Sequence, residues 1–206
     1  MTNQGADFYH WFGVDEALCT RVMGVAMGRG ADYADLYFEH SMGSSVMSED
    51  SVISRASSYV DRGVGIRVVV GDQTGYAFSE DLDEIAMCEA ARTAASIAVA
   101  GGGAPVQGFR SCAGADLYPL REHWDEVRVD RKLPLLRRTE ELARSLDPAV
   151  EKVTVSWANA DSRVLILTSE GKLVTDRRPM ARLVCSVVAN RGGERQSNSA
   201  NVAGRR

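Results

Sequence analysis

Histidines are the first residues to test for chemistry, because imidazole is a common zinc ligand and the usual general base near neutral pH. The three histidines, His10, His40 and His123, are spread along the chain, and no two have metal-ligand spacing on one helix. An HExxH motif is absent, as is any related helix with a glutamate between two histidines. His40 follows Glu39 and is typical of a surface residue at a strand end. His123 precedes Trp124, which is typical of a packing pair in a loop.

Glycines and acids supply two further candidates for ligand binding. The Gly63-Val-Gly65 pair precedes a strand, where no helix N-terminus is available to hold a phosphate, so a structural turn is favoured. The acidic run 80–84 has the oxygens that hard cations prefer, but acids also stabilise the N-terminus of a helix, which is the favoured interpretation. Walker loops, G-x-S-x-G elbows and G-x-G-x-x-G before a helix are absent.

The pair Arg177-Arg178 before Pro179 is the remaining candidate, because guanidinium groups bind carboxylates with two parallel hydrogen bonds. A turn before a strand at 181–189 explains the same residues and is the favoured interpretation. Residue by residue, the sequence therefore predicts no catalytic residue and no metal ligand, and it leaves substrate-binding residues unknown.

Cysteine usage and the N-terminus indicate a reducing cytosol. The four cysteines are far apart and none forms a CxxC pair; they are Cys19, Cys88, Cys112 and Cys185. Cys19 and Cys88 fall in helical patterns and Cys185 in a strand pattern, so buried free thiols are expected. Residues 1–14 lack the basic start and apolar run of a signal peptide, and no apolar stretch is long enough to span a bilayer. We expect a cytoplasmic protein.

Hydrophobic periodicity predicts the elements that would position these residues. The predicted helices cover 15–29, 80–99 and about 131–146. The predicted strands cover 33–39, more weakly 44–49 and 51–59, a hairpin at 62–79, and then 153–157, 163–168, 172–175 and 181–189. The predicted turns are Gly71-Asp72-Gln73, Ser169-Glu170-Gly171 and Gly192-Gly193. Hairpin-linked strands without β-α-β alternation predict an α+β fold, with largely antiparallel sheet and about three helices packed on one face.

Two local features complete the prediction. Gly63, Gly65 and Gly75 mark places of positive φ or of close packing. In the third helix Pro134 is acceptable in a first turn, where N–H groups have no intrahelical partner. The buried side of that helix is predicted to consist of Leu135, Leu142 and Leu146.

Charge argues against a dedicated nucleic-acid binder, since the net charge is −4 and the pI about 5.5. Residues 1–100 are acidic and residues 101–206 basic. Mutual attraction within one fold explains this asymmetry, and a basic surface for an acidic partner is the alternative.

The segment 32–82 resembles the N-terminal signature of the TldD/PmbA family. It contains D-Y-x-D-L-Y-F from Asp32, the pair Glu49-Asp50, D-x-G-V-G-x-R from Asp61 to Arg67, and G-x-x-T-G-Y-A from Gly71 to Ala77. The S-E-G turn, D-x-R-P from Asp176 to Pro179, and R-L-x-x-S-V follow in the family's order. The D-L-Y-F-E and Arg178-Pro179 versions are closer to the TldD branch than to PmbA.

This resemblance implies an intracellular zinc metallopeptidase that works with a PmbA/TldE-type partner lacking the metal site. Such proteins act on unfolded or small peptides, including microcin precursors and an antitoxin, and were formerly called modulators of DNA gyrase. Their zinc is held by two histidines of an HExxxH helix and a distant cysteine, and the glutamate activates water. That helix lies C-terminal to a segment like this one, so no catalytic residue of the family has a counterpart at any position here.

The resemblance predicts residues 1–206 to be a TldD-type N-terminal domain without zinc of its own. Its expected parts are a helix–strands–helix unit at 1–100, an irregular connection at 101–130, and a helix with antiparallel strands at 131–206. The expected partners are a PmbA/TldE-type subunit or a second copy, and peptide substrates, with no direct contact to nucleic acid or membrane. The alternatives are a stand-alone binding or regulatory protein of the gyrase-modulator kind without enzymatic activity, and an inert remnant.

Overall fold

The computed structural model describes residues 4–96, 105–112, 122, 124 and 126–205. Helices and a mostly antiparallel sheet make up these residues, so the predicted α+β class is confirmed. The helices are α1 (Gln4–Phe12), α2 (Glu16–Met27), α3 (Glu84–Ala95) and α4 (Val129–Leu146). The strands are β1 (Tyr33–Glu49), β2 (Val52–Val70), β3 (Gln73–Ser79), β4 (Arg110–Ser111), β5 (Val150–Thr168), β6 (Lys172–Arg191) and β7 (Glu194–Gly204).

The strands form one sheet in the order β3-β2-β1-β5-β6-β4, with β7 also paired to β6. All three predicted turns are confirmed as hairpin connections. Gly71 has a φ of 56° at the start of the two-residue β2–β3 loop, which matches the twist of antiparallel strands. Gly171 ends the three-residue β5–β6 loop with a φ of 82°, and Gly192-Gly193 joins β6 to β7 with two positive φ angles.

Two compact units divide the described fold, and their segments interleave along the chain. The first unit comprises Met1–His40, Asp61–Asp116 and Arg163–Arg177. The second unit comprises Ser41–Val60, Leu117–Ser162 and Arg178–Arg206. The division into 1–100, 101–130 and 131–206 stays a prediction.

In the first unit, α2 and α3 share a hydrophobic core with alternate residues of three strands. Asp15 caps α2 by accepting a hydrogen bond from Leu18 N at 2.7 Å, and Asp83 caps α3 through Ala86 N at 2.9 Å. The strand residues of this core are Ala34, Leu36 and Phe38 on β1, Val64, Ile66 and Val68 on β2, and Leu165 and Leu167 on β5. Their spacing of two is what the sequence pattern predicts for strands with one buried face.

In the second unit, α4 packs against β1 and β5. Its core is smaller and contains Val46, Leu136, Ala143, Val153 and Val155. Partly buried residues of β5 and β6 surround this core, among them Trp157, Leu183 and Cys185.

The predicted buried side of α4 is wrong. Leu142 and Leu146 are 62% and 78% exposed, and Leu135 is also exposed. Lys132, Leu136, Glu140 and Ala143 are buried instead. Two charged residues can occupy this inner face because each finds polar partners within the unit. The helix also begins at Val129, so Pro134 lies in its second turn and not in its first.

Three other elements differ from the sequence-based expectation. Helix α1 has no counterpart among the predicted helices, and α3 covers 84–95 where 80–99 was expected, although residues 97–99 lie outside the described residues. The predicted turn at 177–179 is wrong, because β6 continues from Lys172 to Arg191. Pro179 is compatible with that strand because the pairing of β6 with β7 begins only at Ala181. No helix among the described residues is long and apolar enough to cross a membrane.

Candidate functional site

An ion pair joins two of the signature segments in the first unit. Asp35 on β1 is 7% exposed, and its Oδ2 accepts hydrogen bonds from Arg67 Nε at 2.8 Å and Nη2 at 2.5 Å. The Arg67 guanidinium also lies 5.7 Å from the centre of the Tyr33 ring. Burial, and next the charge of Asp35, raise the pKa of the Tyr33 hydroxyl above its usual value. The carboxylate is thus neutralised by an arginine, which suits a structural support better than a general base.

The turns of the first unit are held by polar contacts to residues at, and just before, the start of β1. Asp32 Oδ2 accepts a hydrogen bond from Gly71 N at 2.7 Å, at the tip of the β2–β3 hairpin. Ser169 Oγ accepts one from Ala34 N at 3.1 Å, and Ser169 N donates to the Ala34 carbonyl at 2.9 Å. These signature residues therefore serve the architecture of the sheet.

The pair Glu49-Asp50 lies at the tip of the β1–β2 hairpin in the second unit. Asp50 and Ser51 form its two-residue turn with φ angles of 47° and 67°, unusual for residues other than glycine. Glu140 on α4 accepts hydrogen bonds from Ser51 N at 2.9 Å and Ser51 Oγ at 3.0 Å. The helix thus holds a turn that the backbone alone would not favour.

Asp50 and Glu49 fix the same tip to its neighbours. The Asp50 carboxylate accepts hydrogen bonds from Val153 N at 3.0 Å and from Arg144. The bond from Val153 N, and next the Arg144 guanidinium, lower the pKa of Asp50 below its usual range. Glu49 forms an ion pair with Lys152 at 2.5 Å. The tip of the β1–β2 hairpin is therefore held by several polar contacts.

A cavity of about 590 Å³ lies in the second unit, beside the middle of this hairpin. Lys132 lines it and is only 6% exposed. Its Nζ donates hydrogen bonds to Ser44 Oγ at 3.0 Å and to Asn159 Oδ1 at 2.9 Å. Burial lowers the pKa of the Lys132 ammonium below its usual value. The cavity has the size of a small-molecule site and contains one buried cation.

Aromatic residues form part of the cavity wall. The Tyr59 ring lies against Gly43, where a Cβ atom would come within 2.3 Å of Tyr59 Cε1. Only glycine leaves room for the ring at that position. Trp124 packs edge-on against Trp157 with ring centres 5.7 Å apart, and Trp157 Nε1 donates to Asn159 Oδ1 at 3.2 Å. The same asparagine that binds Lys132 is therefore also held by Trp157, which contacts Trp124 of the wall.

The strand that borders the cavity is also an edge of the sheet. β3 pairs with β2 only from Val64 to Val70. Over residues 52–60, β2 therefore has a neighbouring strand on one side only among the described residues, and that strand is β1. Every side chain in that stretch is exposed, including the apolar Val52, Ile53 and Val60. An exposed edge of this kind presents free N–H and C=O groups to another extended chain.

The two histidines in the described part of the chain lie on different elements of the first unit. His10 is exposed on α1, whereas His40 lies within β1 and its ring meets Trp11 edge-on at 5.4 Å. The expectation of a strand-end surface position for His40 is therefore wrong, because the indole covers it. Arg163 also contacts Trp11, and its guanidinium carbon lies 3.3 Å from the centre of the Trp11 ring. His123 lies outside the described residues.

The glycine and acidic candidates have structural roles in the first unit. A Cβ at Gly65 would lie 2.5 Å from the Tyr76 hydroxyl, and one at Gly63 would lie 2.8 Å from the Ser79 carbonyl oxygen. Close packing at these glycines is therefore confirmed. In the acidic run, Asp83 caps α3 and Glu84 pairs with Arg21 on α2 at 2.8 Å.

The cysteines are free thiols, as expected. Cys19 and Cys88 are buried, Cys185 is partly buried and Cys112 is exposed. Burial, with smaller contributions from Asp15 and Glu16, raises the pKa of Cys19 to about 12. This thiol therefore remains protonated and inert near neutral pH.

Sequence reasoning missed the polar set around the cavity. Lys132 lies 88 residues from Ser44 and 27 from Asn159, and no motif joins them. A lysine on an amphipathic helix ordinarily faces solvent. The only signal in the sequence is that Lys132 shares the face of Leu136 and Ala143 at helical spacing.

Two family models match the chain. The PmbA/TldA metallopeptidase domain 1 matches residues 34–98, and the PmbA/TldA metallopeptidase central domain matches residues 122–205. The chain belongs to the PmbA/TldD family. The resemblance inferred from the spaced motifs is therefore confirmed.

Relatives within the PmbA/TldD family are proteins named metalloprotease TldD homolog. The one from Haemophilus influenzae is 32% identical over 179 residues, which cover 86% of this chain and 37% of that protein. The one from Buchnera aphidicola of Acyrthosiphon pisum is 29% identical over 88% of this chain and 36% of its own length. The chain thus spans just over a third of these relatives.

Solved structures show the same fold at low sequence identity. A protein described as a modulator of DNA gyrase, from Bacteroides thetaiotaomicron, has a TM-score of 0.74 at 16% identity, covering 92% of this chain and 44% of that one. TldE from Thermococcus kodakarensis has a TM-score of 0.64 at 17% identity, covering 92% and 43% respectively.

A metal site of the kind that a metallopeptidase family implies needs several ligand side chains close together. Among the described residues, no three or more His, Cys, Asp or Glu side chains are grouped so that they could hold a metal ion. The described residues therefore do not fit a zinc centre. That the chain holds no zinc and no catalytic residue of its own stays a prediction.

Proposed function

We propose that the chain is the N-terminal, non-catalytic part of a TldD-like zinc metallopeptidase that degrades or processes peptides in the cytoplasm. In this proposal it works with a PmbA/TldE-type partner, and the zinc ligands come from protein outside residues 1–206. Family membership, relatives named metalloprotease and the likeness to TldE support the proposal.

The exposed β2 edge at 52–60 is the observation that carries a role in peptide handling. An extended peptide can pair with such an edge through its backbone, which gives affinity with little dependence on sequence. That mode suits unfolded or small peptides as a substrate class. The exposed Val52, Ile53 and Val60 add apolar surface for the side chains of the bound peptide.

A cleavage assay tests the non-catalytic assignment. The purified chain is mixed with zinc and an unstructured reporter peptide, alone and together with a full-length TldD-type protein and its PmbA-type partner. We expect turnover only in the mixture that contains the full-length pair. Turnover by the chain alone that a chelator stops would contradict the proposal.

A substitution on the edge tests the binding mode. Val60→Lys places a charge on the β2 edge, a change that natural sheets use to prevent strand addition. Val202→Lys is the matched control, since Val202 is 65% and Val60 68% exposed and Val202 lies on β7. We expect weaker binding of a fluorescent unstructured peptide for Val60→Lys only. Equal binding by both variants would remove the β2 edge from the proposal.

A stand-alone binding or regulatory role is the second candidate, motivated by the solved relative described as a modulator of DNA gyrase. Titration of the chain against gyrase and against a PmbA-type protein separates the two. Association with gyrase alone favours this second candidate, and association with the PmbA-type protein alone favours the first.

A further inference from the structure

We infer that the cavity around Lys132 binds a carboxylate attached to an apolar or aromatic group. This inference goes beyond the peptidase proposal, since it rests on the geometry of one cavity and requires neither zinc nor cleavage.

Lys132 is a buried cation whose two hydrogen-bond acceptors are neutral. An ammonium has three N–H donors, and two of them are used on Ser44 Oγ and Asn159 Oδ1, both neutral oxygens. Within the described part of the chain, Lys132 forms no ion pair with a carboxylate. A buried charge without a counter-charge is costly, so a bound anion would stabilise it.

The charge of Lys132 lies where a ligand in the cavity can reach it. Lys132, Ser44 and Asn159 all line the cavity, so the ammonium lies at the border of a space that a ligand can enter. Asn159 is held by Trp157 as well as by Lys132, and Ser44 Oγ donates to Asn159 Oδ1 at 2.9 Å. The polar end of the cavity is therefore built before a ligand arrives, which lowers the entropic cost of binding.

The charged residues of the lining limit the number of charges that the ligand can carry. Asp161 also lines the cavity and is 2% exposed. Among the described residues the charged part of the lining is thus one cation and one acid, so a ligand with several negative charges, such as a phosphate ester, would meet a single ammonium. A single carboxylate matches one ammonium.

Apolar and aromatic side chains form another part of the cavity lining. Val46, Val60, Tyr59 and Trp124 border the same cavity, so a ligand needs an apolar or aromatic body beside its carboxylate. Residues 56–60 of the β2 edge contribute to that lining. Both a peptide C-terminus with an apolar last residue and an acidic side chain beside an apolar residue offer this chemistry.

Lysine NMR tests the inference directly, because the chain contains only three lysines. Protein labelled with ¹³Cε-lysine gives signals for Lys132, Lys152 and Lys172. The last two are exposed and paired with Glu49 and Glu170, and so serve as internal controls. The probes are N-acetyl-phenylalanine, its amide, and N-acetyl-glutamyl-phenylalanine amide, a glutamate derivative whose one carboxylate is on a side chain beside an apolar residue.

We expect N-acetyl-phenylalanine to shift the Lys132 signal alone and to raise the titration midpoint of that lysine, because the bound carboxylate favours its charged form. The neutral amide should leave the signal in place. The glutamate derivative should shift the Lys132 signal as strongly as N-acetyl-phenylalanine only if the cavity also binds a side-chain carboxylate. A Lys132 signal that neither acid moves at millimolar concentration would overturn the inference, as would equal shifts from the acid and the neutral amide.

Calorimetry with Lys132→Met supplies a second readout. Loss of the charge-assisted hydrogen bond should weaken binding of N-acetyl-phenylalanine about tenfold or more, to the level of its amide. Lys152→Met should bind as the parent chain does. If Lys132→Met does not fold, the NMR titration of the parent chain decides alone. Retained affinity in a folded Lys132→Met protein would contradict the inference, whereas failure of the peptidase assay would leave it unaffected.

Discussion

The carboxylate of Glu140 on α4 accepts hydrogen bonds from both the N–H and the hydroxyl of Ser51, which stands in the left-handed region at a φ of 67°. A non-glycine residue in that conformation costs roughly 1–2 kcal/mol. The two bonds offset this cost and hold the hairpin that carries the exposed β2 edge. Helix α4 therefore organises both features of the candidate site in the second unit, since Lys132 lies on the same buried face as Glu140.

Glu140→Gln should destabilise the chain. The amide keeps one acceptor oxygen, but its NH2 group cannot accept a hydrogen bond from Arg144 Nε, so the charge opposite Arg144 and one acceptor of a buried side chain are lost. We expect a loss of about 1–3 kcal/mol in the free energy of unfolding, measured by urea denaturation. Glu141→Gln is the control, because the neighbouring Glu141 is exposed and should stay within about 0.5 kcal/mol of the parent. Equal losses of stability in both variants would contradict the role of Glu140 in holding the Asp50-Ser51 turn.

Asp50 should make stability depend on pH in the acidic range. Its pKa in the folded chain is lowered, chiefly by the hydrogen bond from Val153 N and then by Arg144. A group with a depressed folded-state pKa stabilises fully above its ordinary value near 4 and loses this effect as the pH falls through the folded-state pKa. The stability difference between the parent and Asp50→Asn should therefore be largest near neutral pH and shrink below about pH 4. Urea denaturation of both proteins at several pH values measures this difference in unfolding free energy. A difference that stays constant with pH would contradict the prediction.

The strands and turns were predictable because their signals are local. Alternation along 33–39 and 64–70 reports directly which side chains enter the core of the first unit. The pair Gly192-Gly193 fits a loop with two positive φ angles, as the structure has it. Such patterns depend on neighbours only a few residues away, so a single sequence contains them.

The buried face of α4 was not predictable in the same way. Leucines occur on both sides of this helix, and the outcome depends on partners far along the chain. Lys132 and Glu140 enter the interior because Ser44, Asn159 and Ser51 meet them there. The cavity was missed for the same reason. The turn at Asp50-Ser51 also lacks glycine, so nothing local indicated positive φ at those residues.

Arg67→Met should weaken the first unit. It leaves the Asp35 carboxylate, which is 7% exposed, without its cation on β2. Because Arg67 itself is about half exposed, we expect a moderate loss of about 1–3 kcal/mol in unfolding free energy. Thermal and urea denaturation measure this loss.

The double variant Asp35→Asn with Arg67→Met is its control. With the charge of Asp35 removed as well, part of the lost stability should return, and the double-mutant cycle should give a non-zero coupling energy. Strictly additive losses would show that the two side chains do not stabilise each other.

Paired substitutions on α4 distinguish its two faces. Leu136 is 1% exposed and packs in the small core of the second unit, whereas Leu142 is 62% exposed. Leu136→Ala should cost about 2–5 kcal/mol, because it opens a cavity among Val46, Val153 and Val155. Leu142→Ala should change the free energy of unfolding by less than about 0.5 kcal/mol, since little apolar surface is newly exposed. If Leu142→Ala proved the costlier change, the leucine face of α4 would be the buried one, and Lys132 would then face solvent. Denaturation of these two variants therefore tests the orientation of the helix on which the carboxylate site depends.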